Sequence, residues 1–73
     1  MPALASRAIR LIRYDADRRR LFVTFRDSGK TYAYFDVPPQ VYGAFLAAES
    51  HGSFFSEHVR DAFRFEEVPD RPR

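Results

Sequence analysis

The chain predicts a small two-layer α+β domain, a three-stranded antiparallel β-meander followed by two helices packed on one face (β-β-β-α-α). Three observations carry this. Residues Arg20 to Arg26 alternate strictly, with Leu21, Val23 and Phe25 on one side and Phe22, Thr24 and Arg26 on the other. The flanking turn stretches, Asp15-Ala16-Asp17-Arg18 and Asp27-Ser28-Gly29-Lys30, are too short for the crossover that parallel strands need. From Pro38 onward, apolar residues recur at helical spacing instead. A three-stranded sheet has one apolar face to cover, and the two helices are the cover the chain offers.

The first strand spans Ala8 to Tyr14. Its alternation is imperfect, because Ile9 and Leu11 fall on one face and Ile12 and Tyr14 on the other. The third strand, Thr31 to Phe35, follows a hairpin turn in which Gly29 can take positive φ. Pro39 suits the first helical position, where its missing N–H costs nothing. Val41, Tyr42, Phe45, Leu46 and Ala48 then form an apolar stripe, and Gly43 within it suggests a close approach of helix to sheet. Gly52 reads as a helix stop and Ser53 as the cap of a second helix carrying Phe54, Phe55, His58, Val59, Ala62 and Phe63. Phe65 and Val68 alternate with Arg64, Glu66 and Glu67, which suits a short final extended segment. One domain is expected over residues 7–68, with flexible ends at 1–6 and 69–73.

At 73 residues the chain buries only ~60% of the surface its unfolded form exposes, so its core must be efficient. Eight Phe and four Tyr supply it, and with no Cys neither a disulfide nor a thiolate metal site can contribute. No apolar run approaches the ~20 residues of a membrane span, and the first residues are too short for a signal peptide. A cytoplasmic protein with no membrane partner is the expectation.

Charge is unevenly spread. Residues 1–30 carry eight basic and three acidic side chains, net +5, whereas residues 31–73 carry four and seven, net −3. That dipole points to an anionic partner for one end, with nucleic acid the leading class. Arg10, Arg13, the run Arg18-Arg19-Arg20, Arg26 and Lys30 are the candidate phosphate contacts, and an arginine-rich composition or a solvated hairpin edge is the plainer account of them. On the third strand, Tyr32, Tyr34 and Asp36 share one side and Ala33, Phe35 and Val37 the other. The second set is the more apolar and is expected to face the helices, which leaves Tyr32 and Tyr34 on the open face. There they either serve as a stacking platform for unpaired bases, with Phe22 beside them, or pack as ordinary tyrosines, or bury in a homodimer.

Catalytic and metal chemistry find little support. His51 and His58 with Glu57 or Asp61 fall short of a structural metal set. Ser50, Ser53 and Ser56 read as capping and turn residues, and neither a phosphate-cradling glycine loop nor a nucleophile elbow occurs. No cofactor is implied, and the expectation is a protein that is not an enzyme.

Taken together, Ile12-x-Tyr14-Asp15, Leu21-x-Val23-x-Phe25 and Tyr32-x-Tyr34-Phe35-Asp36-Val37-Pro38 form an ordered series. It continues with Val41-Tyr42, Leu46, Ala48, Ser50-x-Gly52-x-Phe54-Phe55, Val59-Arg60 and Phe63-x-Phe65. In this order and spacing the chain resembles the KTSC domain, a small bacterial module named after lysyl-tRNA synthetase C-terminal extensions. Ser56 stands where that pattern commonly has Asn, and Phe63 and Phe65 where it has tyrosines. The resemblance implies an RNA-binding role, for tRNA-like or single-stranded RNA, and adds Arg60 as a position to test for phosphate contact. The alternative is a protein-interaction or homodimerisation domain that uses the same aromatic face.

Overall fold

The computed structural model describes residues 8–69. The expected flexible ends lie outside the described residues, apart from the exposed Pro69. The strands β1 (Ile9–Asp15), β2 (Arg20–Phe25) and β3 (Thr31–Tyr34) form the expected antiparallel meander. The helices α1 (Pro39–Ala47) and α2 (His51–Phe54) follow. A fourth strand, β4 (Phe65–Val68), then pairs antiparallel with β3, so the sheet has four strands in the order β1-β2-β3-β4 rather than three. The final extended segment is therefore part of the sheet. It is anchored where the Phe35 amide donates to the Arg64 carbonyl at 2.9 Å.

The irregular alternation of the first strand has a structural cause. Register shifts between Ile9 and Leu11, so Ile9 lies opposite Phe25 and Leu11 opposite Thr24. The extra residue is a β-bulge, which reverses side-chain direction locally. Ile9 consequently joins Ile12 and Tyr14 on the helix side, while Leu11 is exposed.

The face assignment of the third strand is also corrected. Leu21 pairs with Tyr34 and Val23 with Tyr32, so both tyrosines point the same way as the buried face of β2, toward the helices. Ala33 and Phe35 are on the open side. Alternation ends at Asp36, whose φ of 59° is in the left-handed region, and Val37 is thereby turned into the core at 0% exposure. Its amide donates to the Arg19 carbonyl at 2.9 Å, and its carbonyl accepts from the Tyr14 hydroxyl. Register to β2 has overridden the hydrophobicity of β3 taken alone.

Pro39 opens α1 as expected. Val41, Tyr42 and Phe45 pack on the core, and Tyr42 stacks on Tyr14 at 4.8 Å between centroids. Leu46, assigned to the same stripe, is instead exposed. Gly43 makes no close approach: a Cβ there would meet nothing within 4 Å. Gly43→Ala is accordingly expected to raise unfolding free energy by roughly 0.5–1 kcal/mol, the ordinary helix-interior difference between the two residues. A urea unfolding curve checks this, and a decrease would show that the open space is only apparent.

The second helix starts earlier than its residues suggest. Ser50, extended at φ −125° and ψ 111°, is the cap, and its Oγ accepts from the Ser53 amide at 3.2 Å. Gly52 thus falls inside the helix and does not stop it. After Phe54 the helix widens into a π turn, Phe55–Val59, closed by the Arg60 amide donating to the Phe55 carbonyl. Both ends of that turn, Phe55 and Val59, are buried. The helix ends there, so Ala62 is exposed and Phe63 is half-buried beside the core.

Candidate nucleic-acid interface

The helices cover one face of the sheet and leave the other open. Phe22 and Phe35 are half-buried on that open face. The Arg13 guanidinium lies over the Phe22 ring at 5.4 Å. Two guanidiniums lie within cation–π distance of Phe35, Arg20 at 5.1 Å and Arg64 at 5.7 Å from the ring centroid. Each cation is fixed by the strand order. Arg13 is opposite Phe22 in the β1–β2 register, Arg20 begins β2, and Arg64 enters beside Phe35 immediately before β4. Beyond Phe22, toward the β2–β3 turn, the Thr24 and Thr31 hydroxyls hydrogen-bond at 2.7 Å. A planar guanidinium over a ring keeps its edge N–H donors free for an anion while its flat face stays stacked.

The other candidate residues disperse. Arg10 is exposed at the bulge, Arg18 and Arg19 are exposed in the β1–β2 turn, and Arg26 is exposed after β2. Arg18 is tied by its amide to the Asp15 carboxylate, and Arg19 adopts a φ of 57°. Lys30 lies 4.0 Å from Glu67, a surface ion pair that partly neutralises it. Tyr32, Tyr34 and Arg60 come together on the opposite side of the domain. With Phe25, Phe55 and Phe65 the two tyrosines wall a cleft of about 490 Å³, at which Arg60 and Asp61 also stand. Tyr32 and Tyr34 each meet Phe65 there, at 5.8 and 5.3 Å.

Burial pushes the Tyr34 hydroxyl up from its ordinary pKa of 10.0 to about 12, with Tyr32 adding to the rise and Arg60 opposing it. A folded-state value above the unfolded one means that the native protein holds this proton longer. The associated stability is therefore whole below about pH 10 and is lost as pH climbs toward about 12. Urea midpoints at about pH 9 and about pH 11 should differ by more in the native chain than in Tyr34→Phe. Equal differences would show that the phenol is not titrating against burial.

Phe35 and Arg64 were absent from the candidate set. Both were concealed by the face assignment, yet the hairpin offered a signal. The Phe25 amide donates to the Lys30 carbonyl, so four residues close the loop and Val23 must lie opposite Tyr32. Counting outward from the four-residue loop Arg26-Asp27-Ser28-Gly29 puts Ala33 opposite Phe22 and so places Phe35 on the same face as Phe22. Among the described residues no group of three or more His, Asp or Glu side chains is arranged to hold a metal ion. No described helix is long and apolar enough to cross a membrane.

These features define a class: a two-layer α+β domain with an open, arginine-covered aromatic sheet face. The chain belongs to the KTSC domain family, whose model matches residues 5–63. It is similar in structure to a crystallised KTSC domain protein from Yersinia pestis, with a TM-score of 0.85, 35% identity and 94% of each chain covered. A protein of Tsukamurella paurometabola is 41% identical over 64 residues, which span 88% of this chain and 94% of that one. A lysine–tRNA ligase of Nostoc punctiforme is 35% identical over 60 residues, 82% of this chain but only 10% of the ligase.

Proposed function

We propose that this domain is a non-catalytic binding module for RNA, single-stranded or tRNA-like, and that it binds through the open sheet face. The observation that carries the reading is the exposed-face ring of Phe35 with the Arg20 and Arg64 guanidiniums beside it. An unpaired base gains ~1–3 kcal/mol by stacking on a protein π-face, and guanidiniums beside it can stack and contact phosphates. The similarity to a segment of a lysine–tRNA ligase is consistent with this partner class. The basic hairpin side chains Arg18, Arg19, Arg26 and Lys30 add field without a fixed geometry.

Three phosphates neutralised by Arg13, Arg20 and Arg64 give a defined salt response. Tripling salt from about 50 to about 150 mM should weaken single-stranded RNA binding roughly tenfold, from a slope near −0.7 per phosphate. Fluorescence anisotropy with a labelled oligoribonucleotide measures it, and no binding at the lower salt rejects the proposal. A second reading is self-association through the same face, favoured by Leu11, which is 51% exposed at its rim. Light scattering separates the two. A dimer that Leu11→Glu converts to monomer, with no affinity for RNA, establishes the second.

A further inference from the structure

The aromatic cleft on the helix side has no part in the reading above, and one atom in it stands out. Tyr34 is only 3% exposed, so nearly all of the residue is packed away. Its hydroxyl nevertheless has no hydrogen-bond partner among the described residues, and it is not sealed off from the cleft. Tyr14, half-buried beside the core, spends its hydroxyl on the Val37 carbonyl. A hydroxyl that opens into the cleft and has no protein partner there can donate to a ligand placed in it. A tyrosine phenol is protonated across the physiological range, and burial only raises its pKa further, so the hydroxyl is a donor there.

The surroundings narrow what that partner can be. Phe65, 51% exposed, offers a ring at the mouth, and Phe25 and Phe55 meet edge to face deeper in, at 5.3 Å. Flat apolar walls suit a planar group. Arg60 at the same cleft supplies a cation, while the adjacent Asp61 opposes more than one anion. Ser28 of the β2–β3 turn stands at both this cleft and a groove on the open face. Arg13, Phe22 and Lys30 are among the residues lining that groove. A chain lying on the open face can thus pass over that turn.

We propose that the cleft receives one unstacked nucleotide of the bound RNA, its base against Phe65 and accepting from the Tyr34 hydroxyl, its phosphate on Arg60. This rests on the open-face RNA reading for the path of the strand, but the cleft can be tested without it. An extruded base is recognised by stacking and by hydrogen bonds to its edges. Arg60 lies at the entrance and contributes charge, and Tyr34 at the floor contributes the edge contact.

The test is amide chemical-shift titration of the full chain with adenosine monophosphate, adenosine, a short single-stranded RNA and a short peptide with a free C-terminal carboxylate. Adenosine monophosphate is expected to shift Tyr34, Phe55, Arg60 and Phe65. Tyr34→Phe should weaken it roughly threefold to tenfold, the effect of one hydrogen bond, with the fold kept. Arg60→Ala should abolish the preference for the monophosphate over adenosine. If RNA shifts the open face and leaves the cleft untouched, the cleft proposal is overturned and the open-face reading stands. If the monophosphate fills the cleft while RNA fails to bind, the cleft stands as a nucleotide site and the open-face reading falls. Filling of the cleft by the peptide and by neither nucleotide ligand overturns it in favour of a protein C-terminus.

Discussion

Phe45→Ala should remove a large share of the domain's stability at 25 °C and lower its urea midpoint more than any other single truncation. Truncating a buried Phe costs about 3–5 kcal/mol, part from lost transfer energy and part from the cavity left behind. A domain of this length has only about 4–11 kcal/mol of stability in all. Phe45 is 0% exposed, stacks on Phe54 at 5.2 Å and 18°, and sits 6.5 Å from Phe55 and 6.0 Å from the His51 ring. Rings are stiff, so the gap would be filled poorly by relaxation, which places the cost at the upper end. The near-isosteric Phe45→Leu should retain a cooperative transition at reduced urea midpoint. If Phe45→Ala loses less than about 1.5 kcal/mol, the aromatic cluster is not the centre of the core.

The largest expected effect on binding is at Phe35. With Phe35→Ala the Arg20 and Arg64 guanidiniums lose the ring that orients them, and the stacking surface for a base goes with it. Affinity for single-stranded RNA should fall between roughly fivefold and 150-fold, the range of one lost stack. Circular dichroism should stay native, since Phe35 is only half-buried and lies outside the main cluster. Arg20→Lys makes the comparison sharper. It preserves charge but removes the planar fork, so the salt slope should persist while affinity drops. Wild-type affinity in Phe35→Ala would remove the open face as the RNA surface.

How much could be read from the residues follows from what each signal measures. Alternation in β2 and the change of period at Pro38 report local geometry, and both elements are where they were expected. β4 was legible as an extended segment but not as a sheet member, because pairing with β3 is a tertiary choice made across two intervening helices. Tyr32 and Tyr34 show the same limit at the site. Judged by hydropathy they belonged outside, yet a sheet face is chosen jointly by paired strands, and Leu21 and Val23 outweighed Ala33 and Phe35. The packing alternative for these tyrosines is the arrangement found. Gly52 hides Ser50 as a cap, because a glycine there suggests a stop, yet a Ser with the right backbone shape caps whatever follows it. The basic first half is visible in composition; which arginines lie over a ring depends on where the sheet places Phe22 and Phe35.

The late arrival of β4 also shapes how the domain is made. The β1–β3 meander needs only neighbouring residues and can form fast, whereas the last strand must close a long loop. Until it does, β3 presents an unpaired backbone edge and Phe65 has no tyrosines to rest on. That interval is when another nascent chain can pair there instead. Glu66 and Glu67 give the finished edge a charge that discourages such pairing, so β4 acts as a guard as well as a strand.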